Sequence, residues 1–182
     1  MVGSLYRATP PFPRSEPERI YQAMAQVVLA AAVIIGVFFD LRERRIPNWL
    51  TMPALGAGLI LQTIYAGPMG LLLALGGAAA GAAFLALPFA AGWVGGGDLK
   101  LLAAIGALMG APFAFWTVLF ASAAGGLLTL GWLALTGNLF GSLKYIFTVW
   151  RRNTDVKPAA LATSLSFGPA LALGVIAARF LA

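Results

Sequence analysis

The chain has 182 residues, 60% of them hydrophobic and only 10% charged, with a mean hydropathy of +0.89. A soluble domain carries about a quarter charged residues, so this composition excludes a water-solvated globule and points to lipid as the solvent. There is no cysteine and no histidine, which excludes disulfides, thiolate nucleophiles, cysteine–histidine zinc sites and imidazole general bases.

Lipid leaves helices or closed barrels as the structures that can span it, and the apolar runs lack the period-2 alternation of barrel strands. The expectation is an all-α fold, a polytopic integral membrane helix bundle with about six transmembrane helices, forming one domain over residues 20–182. The net charge of +6 fits basic loops that set topology and meet anionic headgroups. The expected surroundings are therefore a lipid bilayer, with no nucleic acid as partner.

Residues 1–19 include Pro10, Pro11, Pro13 and Pro17 and read as a flexible tail, because proline interrupts helical hydrogen bonding. The first span, 20–39, runs into Phe38-Phe39-Asp40 and not into a small-residue cleavage site, which argues against a cleaved signal peptide. Arg42, Arg44 and Arg45 follow and place the next connection on the cytoplasmic side. A second span, 50–66, tolerates Pro53 in its first turn, and Gly67-Pro68 makes the outer turn. The third span, 70–93, carries Gly77 and Gly81 at the spacing that lets helix backbones approach in lipid, with a kink expected at Pro88. Gly92 and the run Gly95-Gly96-Gly97 then break the helix ahead of Asp98.

Few residues separate Leu99 from the next breaker, Gly110-Ala111-Pro112. A helix over 99–109 covers only ~17 Å of a hydrocarbon core ~30 Å thick, so Asp98 is expected to be recessed yet reachable by water. A rival parse carries the helix through Pro112 with a kink and leaves Asp98 nearer the surface. The fifth span is 113–135. The connection 136–158 carries Lys144, Arg151, Arg152 and Lys157 and reads as cytoplasmic, with an amphipathic surface helix over 143–150. The last span, 162–181, contains Phe167-Gly168-Pro169. Arg7, Arg14, Arg19 and Arg179 fall on the outer side and run against the charge rule.

In this topology Asp40 ends the first span and Asp98 begins the fourth, at one face. Asp and Glu together number six, and an aspartate within a bilayer costs roughly 2.5–3.5 kcal/mol on insertion scales, so it is a candidate functional residue. If their helices are neighbours, the two carboxylates can share a site, one holding a proton while the other accepts one. Such a pair can activate water against a peptide carbonyl and protonate the leaving amine. Each aspartate's own helix end favours Asp98 over Asp40 as the ionised member. The residues alone leave other roles open: a helix cap, an ion-pathway residue, or a salt-bridge partner for Arg44 or Arg45.

Gly95-Gly96-Gly97-Asp98, continued by Leu99-Lys100, resembles the second catalytic motif of the type IV prepilin peptidases, which are GxGD-type intramembrane aspartic proteases. Asp40, followed by Arg45-Ile46-Pro47-Asn48-Trp49-Leu50-Thr51, resembles their first. Phe167-Gly168-Pro169-Ala170 is similar to a glycine- and proline-containing stretch in their last span, and the resemblance covers residues 25–182. It implies that Asp40 and Asp98 are the catalytic pair, that Gly95 and Gly97 let the backbone turn and a substrate strand approach, and that Lys100 continues the motif. Ile46, Pro47 and Asn48 are expected to shape the loop and start the second helix, with Asn48 as a cap.

The resemblance further implies a prepilin partner whose basic leader is removed on the cytoplasmic face of a bacterial inner membrane, with no cofactor and no metal. Larger members of that family carry paired CxxC motifs and also N-methylate the product. Without cysteine, and with a short connection between its first two spans, the chain resembles the minimal peptidase of tight-adherence (Flp) pilus systems, without methyltransferase activity. Glu43 and Asp155 are the acidic residues left to meet the leader on that side, so recognition is expected to rest on helix fit more than on charge. Two other readings stand beside this one. The chain could be a non-enzymatic six-helix membrane protein, either a small transporter or a pilus assembly factor, or a related enzyme acting on an archaeal-type preflagellin.

Overall fold

Apolar runs that can satisfy their backbone only internally fold here as helices. The computed structural model describes residues 16–91, 94–135 and 167–181, and every regular element among them is helical. The elements are α1 (Glu16–Glu43), α2 (Asn48–Ala90), α3 (Gly96–Met109), α4 (Ala111–Leu135) and α5 (Phe167–Leu181). Helices α1 and α2 and the segment Ala111–Leu128 of α4 are each long and apolar enough to cross a membrane. The fold is thus the expected all-α membrane helix bundle. The expectations for residues 1–15, for the basic connection 136–158 and for the amphipathic helix 143–150 lie outside the described residues.

Helix α1 begins at Glu16, earlier than the expected start at residue 20. Pro17 is no obstacle there, because the first-turn N–H it lacks would have no helical partner, and Glu16 and Glu18 complement the positive end of the helix. The buried face of α1 is Ala25, Leu29, Ala32, Val33, Gly36 and Asp40, the spacing of a single helical stripe. Asp40 therefore prolongs an apolar stripe into the bundle, while Val27, Ile34 and Phe38 stay exposed on the outside. The helix stops at Arg44, whose φ of 54° is left-handed and whose N–H reaches back to the Asp40 carbonyl at 2.9 Å. That turn sends the chain across to α2.

Helix α2 folds back on itself at Gly67, where φ 62° and ψ −147° belong to a region that glycine alone visits readily. Beyond the fold Gly70 lies against the carbonyl of Gln62, residues that an unbroken helix would hold about 12 Å apart. The turn expected at Gly67-Pro68 is there, and the two limbs of α2 supply the second and third spans. Non-helical dihedrals inside α2 are confined to Gly67. Pro88, where a kink was expected, lies inside α2 two residues before the helix ends at Ala90.

Helix α3 is the centre of the bundle: every residue from Leu101 to Leu108 is buried, as expected of a helix apolar on all sides. It lies between the limbs of α2. On the first limb Gly58 touches Ala107 and Leu108, and on the second Gly77 meets the Gly106 backbone and Gly81 the Leu102 carbonyl. Lipid tails are as apolar as leucine, so small residues that allow backbone contact, and not hydrophobicity, hold such helices together. The break at Gly110, φ 89°, ends α3 and settles the short-helix parse. Its 14 residues span about 21 Å.

The pairing order fixes the chain directions. Ile46 beside Gly97 and Gly58 beside Ala107 make the first limb of α2 parallel to α3, while Gly77 with Gly106 and Gly81 with Leu102 make the second antiparallel. At one end Tyr21 of α1 donates its hydroxyl to the Leu108 carbonyl at 2.7 Å and stacks on Tyr65 at 5.0 Å. Helix α5 docks on α4 where Gly174 meets the Thr117 carbonyl and Ala121. At the other end of the bundle the close of α1 meets the starts of α2, α3 and α5.

Candidate active site

Four helix termini converge on Asp40 and Asp98, which are 5% and 7% exposed. The two come from different helices, yet lie close enough for the charge of one to act on the other. The condition set by the sequence, that α1 and the start of α3 be neighbours, is met.

Asp98 is the third residue of α3, which is capped by Gly95 in an extended conformation. Its carboxylate accepts the backbone N–H of Gly95, the same backward reach that a carboxylate makes in a capping box. A Cβ at position 95 would lie 3.3 Å from Oδ2. The other oxygen, Oδ1, is buried and has no hydrogen-bond partner among the described residues.

The two sequence motifs touch at two points. A Cβ on Gly97 would fall 2.8 Å from both the Cβ and the carbonyl oxygen of Ile46, so the close approach that this glycine permits is made by the chain's own first motif. Beside it Lys100 Nζ donates to Asn48 Oδ1 at 2.8 Å. Asn48 is therefore not the cap of α2. It is the first helical residue, and the cap position belongs to Pro47, at φ −72° and ψ 145°, with no side-chain capping bond. Pro47 contributes its carbonyl, which accepts the N–H of Leu50 at 3.1 Å and of Thr51 at 3.4 Å.

Asp40 is held from a third direction. The backbone N–H of Gly168, in the first turn of α5, donates to its Oδ2 at 2.6 Å within the buried interior. Asp40 thus ends one helix and faces the start of another, so helix ends no longer rank the two aspartates as they did when each was considered on its own helix. The sequence marked Gly168 within a motif but not as a partner of Asp40. The available signal was a glycine ahead of a proline at the start of the last span, where Gly168 offers an N–H and Pro169 needs none.

Around this centre Arg42, Glu43, Arg44 and Arg45 are exposed, Lys100 is half-buried and Gly95 is open to the outside. Among the described residues, no trio of acidic, histidine or cysteine side chains is grouped as a metal site needs.

Fold and site together define a multi-pass membrane protein with a buried carboxylate pair at one end of its bundle. Residues 27–130, more than half of the chain and inclusive of both aspartates, match the type IV leader peptidase family, and the chain belongs to that family. Membership makes it a prepilin peptidase, a protease whose substrate is a prepilin. No match was found among curated proteins, and none among solved structures.

Proposed function

We propose that the protein is an aspartic endopeptidase that removes the basic leader from a Flp-type prepilin, with Asp40 and Asp98 as its catalytic pair. The observation that carries this reading is the burial of two carboxylates from separate helices at the end of the bundle where the close of α1 meets the starts of α2, α3 and α5. The reaction needs one member of such a pair ionised and the other protonated. The ionised member takes a proton from water as the water oxygen bonds to the peptide carbonyl carbon. The protonated member then gives its proton to the departing amine as the C–N bond breaks. Asp98 Oδ1, buried and without a hydrogen-bond partner among the described residues, is the atom proposed to take part in this exchange.

The active end faces the cytoplasm of a bacterial inner membrane. Support comes from Arg42, Arg44, Arg45 and Lys100, which lie at the end of the bundle that holds both aspartates. Substrate backbone approaches at Gly95, which is exposed, while Gly97 is covered by Ile46. The enzyme is a peptidase without methyltransferase activity. Residues 44–47 between α1 and α2 leave no room there for an added domain, and the chain contains no cysteine for paired CxxC motifs.

Co-expression with a Flp-type prepilin tests the reading through the mobility shift of the cut product. Wild type is expected to cut, and Asp40→Asn and Asp98→Asn each to abolish cutting. Activity surviving in either variant refutes the pair.

A further inference from the structure

We infer that Gly168 is a positioning residue of this active site: its backbone N–H holds Oδ2 of Asp40 and fixes that carboxylate beside Asp98. The inference rests on the two-aspartate reading and adds a third element to it, from a helix that lies beyond the matched residues 27–130.

Three observations carry it. The bond is short and buried, and it joins residues 128 apart in sequence. Its donor is one of the first-turn N–H groups that a helix leaves unsatisfied, and a carboxylate is the acceptor that such a group binds most strongly. The site also excludes a side chain: a Cβ on Gly168 would lie 2.9 Å from the Cβ and 3.0 Å from the Cγ of Asp40, with Oδ2 closer still. Glycine is the residue that brings the N–H to that carboxylate without displacing it.

Helix α5 is anchored independently of this bond. Ala170, Leu171 and Ala178 are buried, and Gly174 sits against the Thr117 carbonyl and Ala121 of α4. That anchor lies six residues along α5 from the donor, so the aspartate is oriented by the first turn of α5 itself and not by the α4–α5 seam. An Asp40 carboxylate tethered at one oxygen cannot rotate freely, so the geometry of the pair is set before substrate arrives. Gly168 is itself buried and acts through Asp40, so its influence belongs in kcat and not in KM.

The experiment compares two glycines of α5 in the purified full chain, using a prepilin peptide containing the leader junction. Gly168→Ala is expected to lower kcat at least tenfold with KM within twofold of wild type. Gly174→Ala, which loosens α5 on α4, is expected to lower Tm while the folded protein keeps its kcat within twofold. The inference is overturned if Gly168→Ala keeps its kcat, or if Gly174→Ala loses kcat to the same extent. A second readout leaves Gly168 unchanged. In protein labelled with 15N-glycine, the Gly168 amide proton is expected to resonate downfield and to move upfield in Asp40→Asn by more than any other glycine amide. An unmoved resonance overturns the inference on its own. Cutting by Asp40→Asn would instead overturn the two-aspartate reading, whereas an inactive Asp40→Asn beside a fully active Gly168→Ala would remove only the role of Gly168.

Discussion

Gly95 and Gly97 stand two residues apart in different surroundings, the first beside the Asp98 carboxylate and the second against Ile46. At Gly97 an added methyl group meets the backbone of Ile46 at 2.8 Å, and backbone cannot swing aside as a side-chain tip can. Gly97→Ala is expected to destabilise the protein by ~1–3 kcal/mol, the usual range for overpacking, and to reduce prepilin cutting by separating the two motifs. Thermal unfolding in detergent and a cleavage assay on the same preparation measure both effects. The Lys100–Asn48 bond is a gentler link at 2.8 Å, of a kind worth about 1 kcal/mol. Lys100→Met and Asn48→Ala should each slow cutting by less than tenfold, and the double variant should be no slower than the worse single one. Additive losses would show that the two residues act separately.

Among the elements, α3 has the least freedom. It is buried from Leu101 to Leu108, and its contacts with the second limb of α2 run backbone to backbone. Neighbouring glycines on that limb should therefore respond oppositely. At Gly77 a methyl group would fall on the Gly106 carbonyl, whereas at Gly76 it would meet nothing within 4 Å. Gly77→Ala and Gly106→Ala are expected to lower Tm and the yield of folded protein. Gly76→Ala should be neutral or stabilising by up to ~1 kcal/mol, the helix preference of alanine over glycine. Equal responses at positions 76 and 77 would contradict the close crossing of α2 and α3. The same crossing places Asp98 at the buried start of a helix about 21 Å long, so loosening it should also reduce cutting.

For the whole molecule the open prediction is sidedness. The absence of cysteine makes any introduced cysteine a unique label. Arg45, at the active end, is exposed, and Met69, beside the Gly67 turn, is 64% exposed. In intact cells a membrane-impermeant maleimide is expected to label Met69→Cys. Arg45→Cys should react only after the inner membrane is opened. The reverse pattern would place the aspartates on the outer face and sink the cytoplasmic assignment.

What the sequence by itself determined are properties held locally. Apolar runs too long and too uncharged for water specify membrane helices, Gly67-Pro68 marks a turn because of its backbone angles, and Gly110 stops α3 for a similar reason. Counting spans between these breaks puts Asp40 and Asp98 at one end, since alternate crossings return the chain to the same face. Which helices are neighbours was decided by the tertiary structure. A lipid-facing surface and a helix-facing surface are both apolar, so hydropathy does not tell them apart, and the fit of small residues such as Gly58, Gly77 and Gly106 does. Three features of the site emerged only from that packing: Ile46 covering Gly97, Lys100 taking the side chain of Asn48 that was expected to cap α2, and Gly168 reaching Asp40 from a helix 128 residues away. The aspartates could be found by their rarity in an apolar chain, but the group that holds Asp40 lies across a helix contact that no local pattern records.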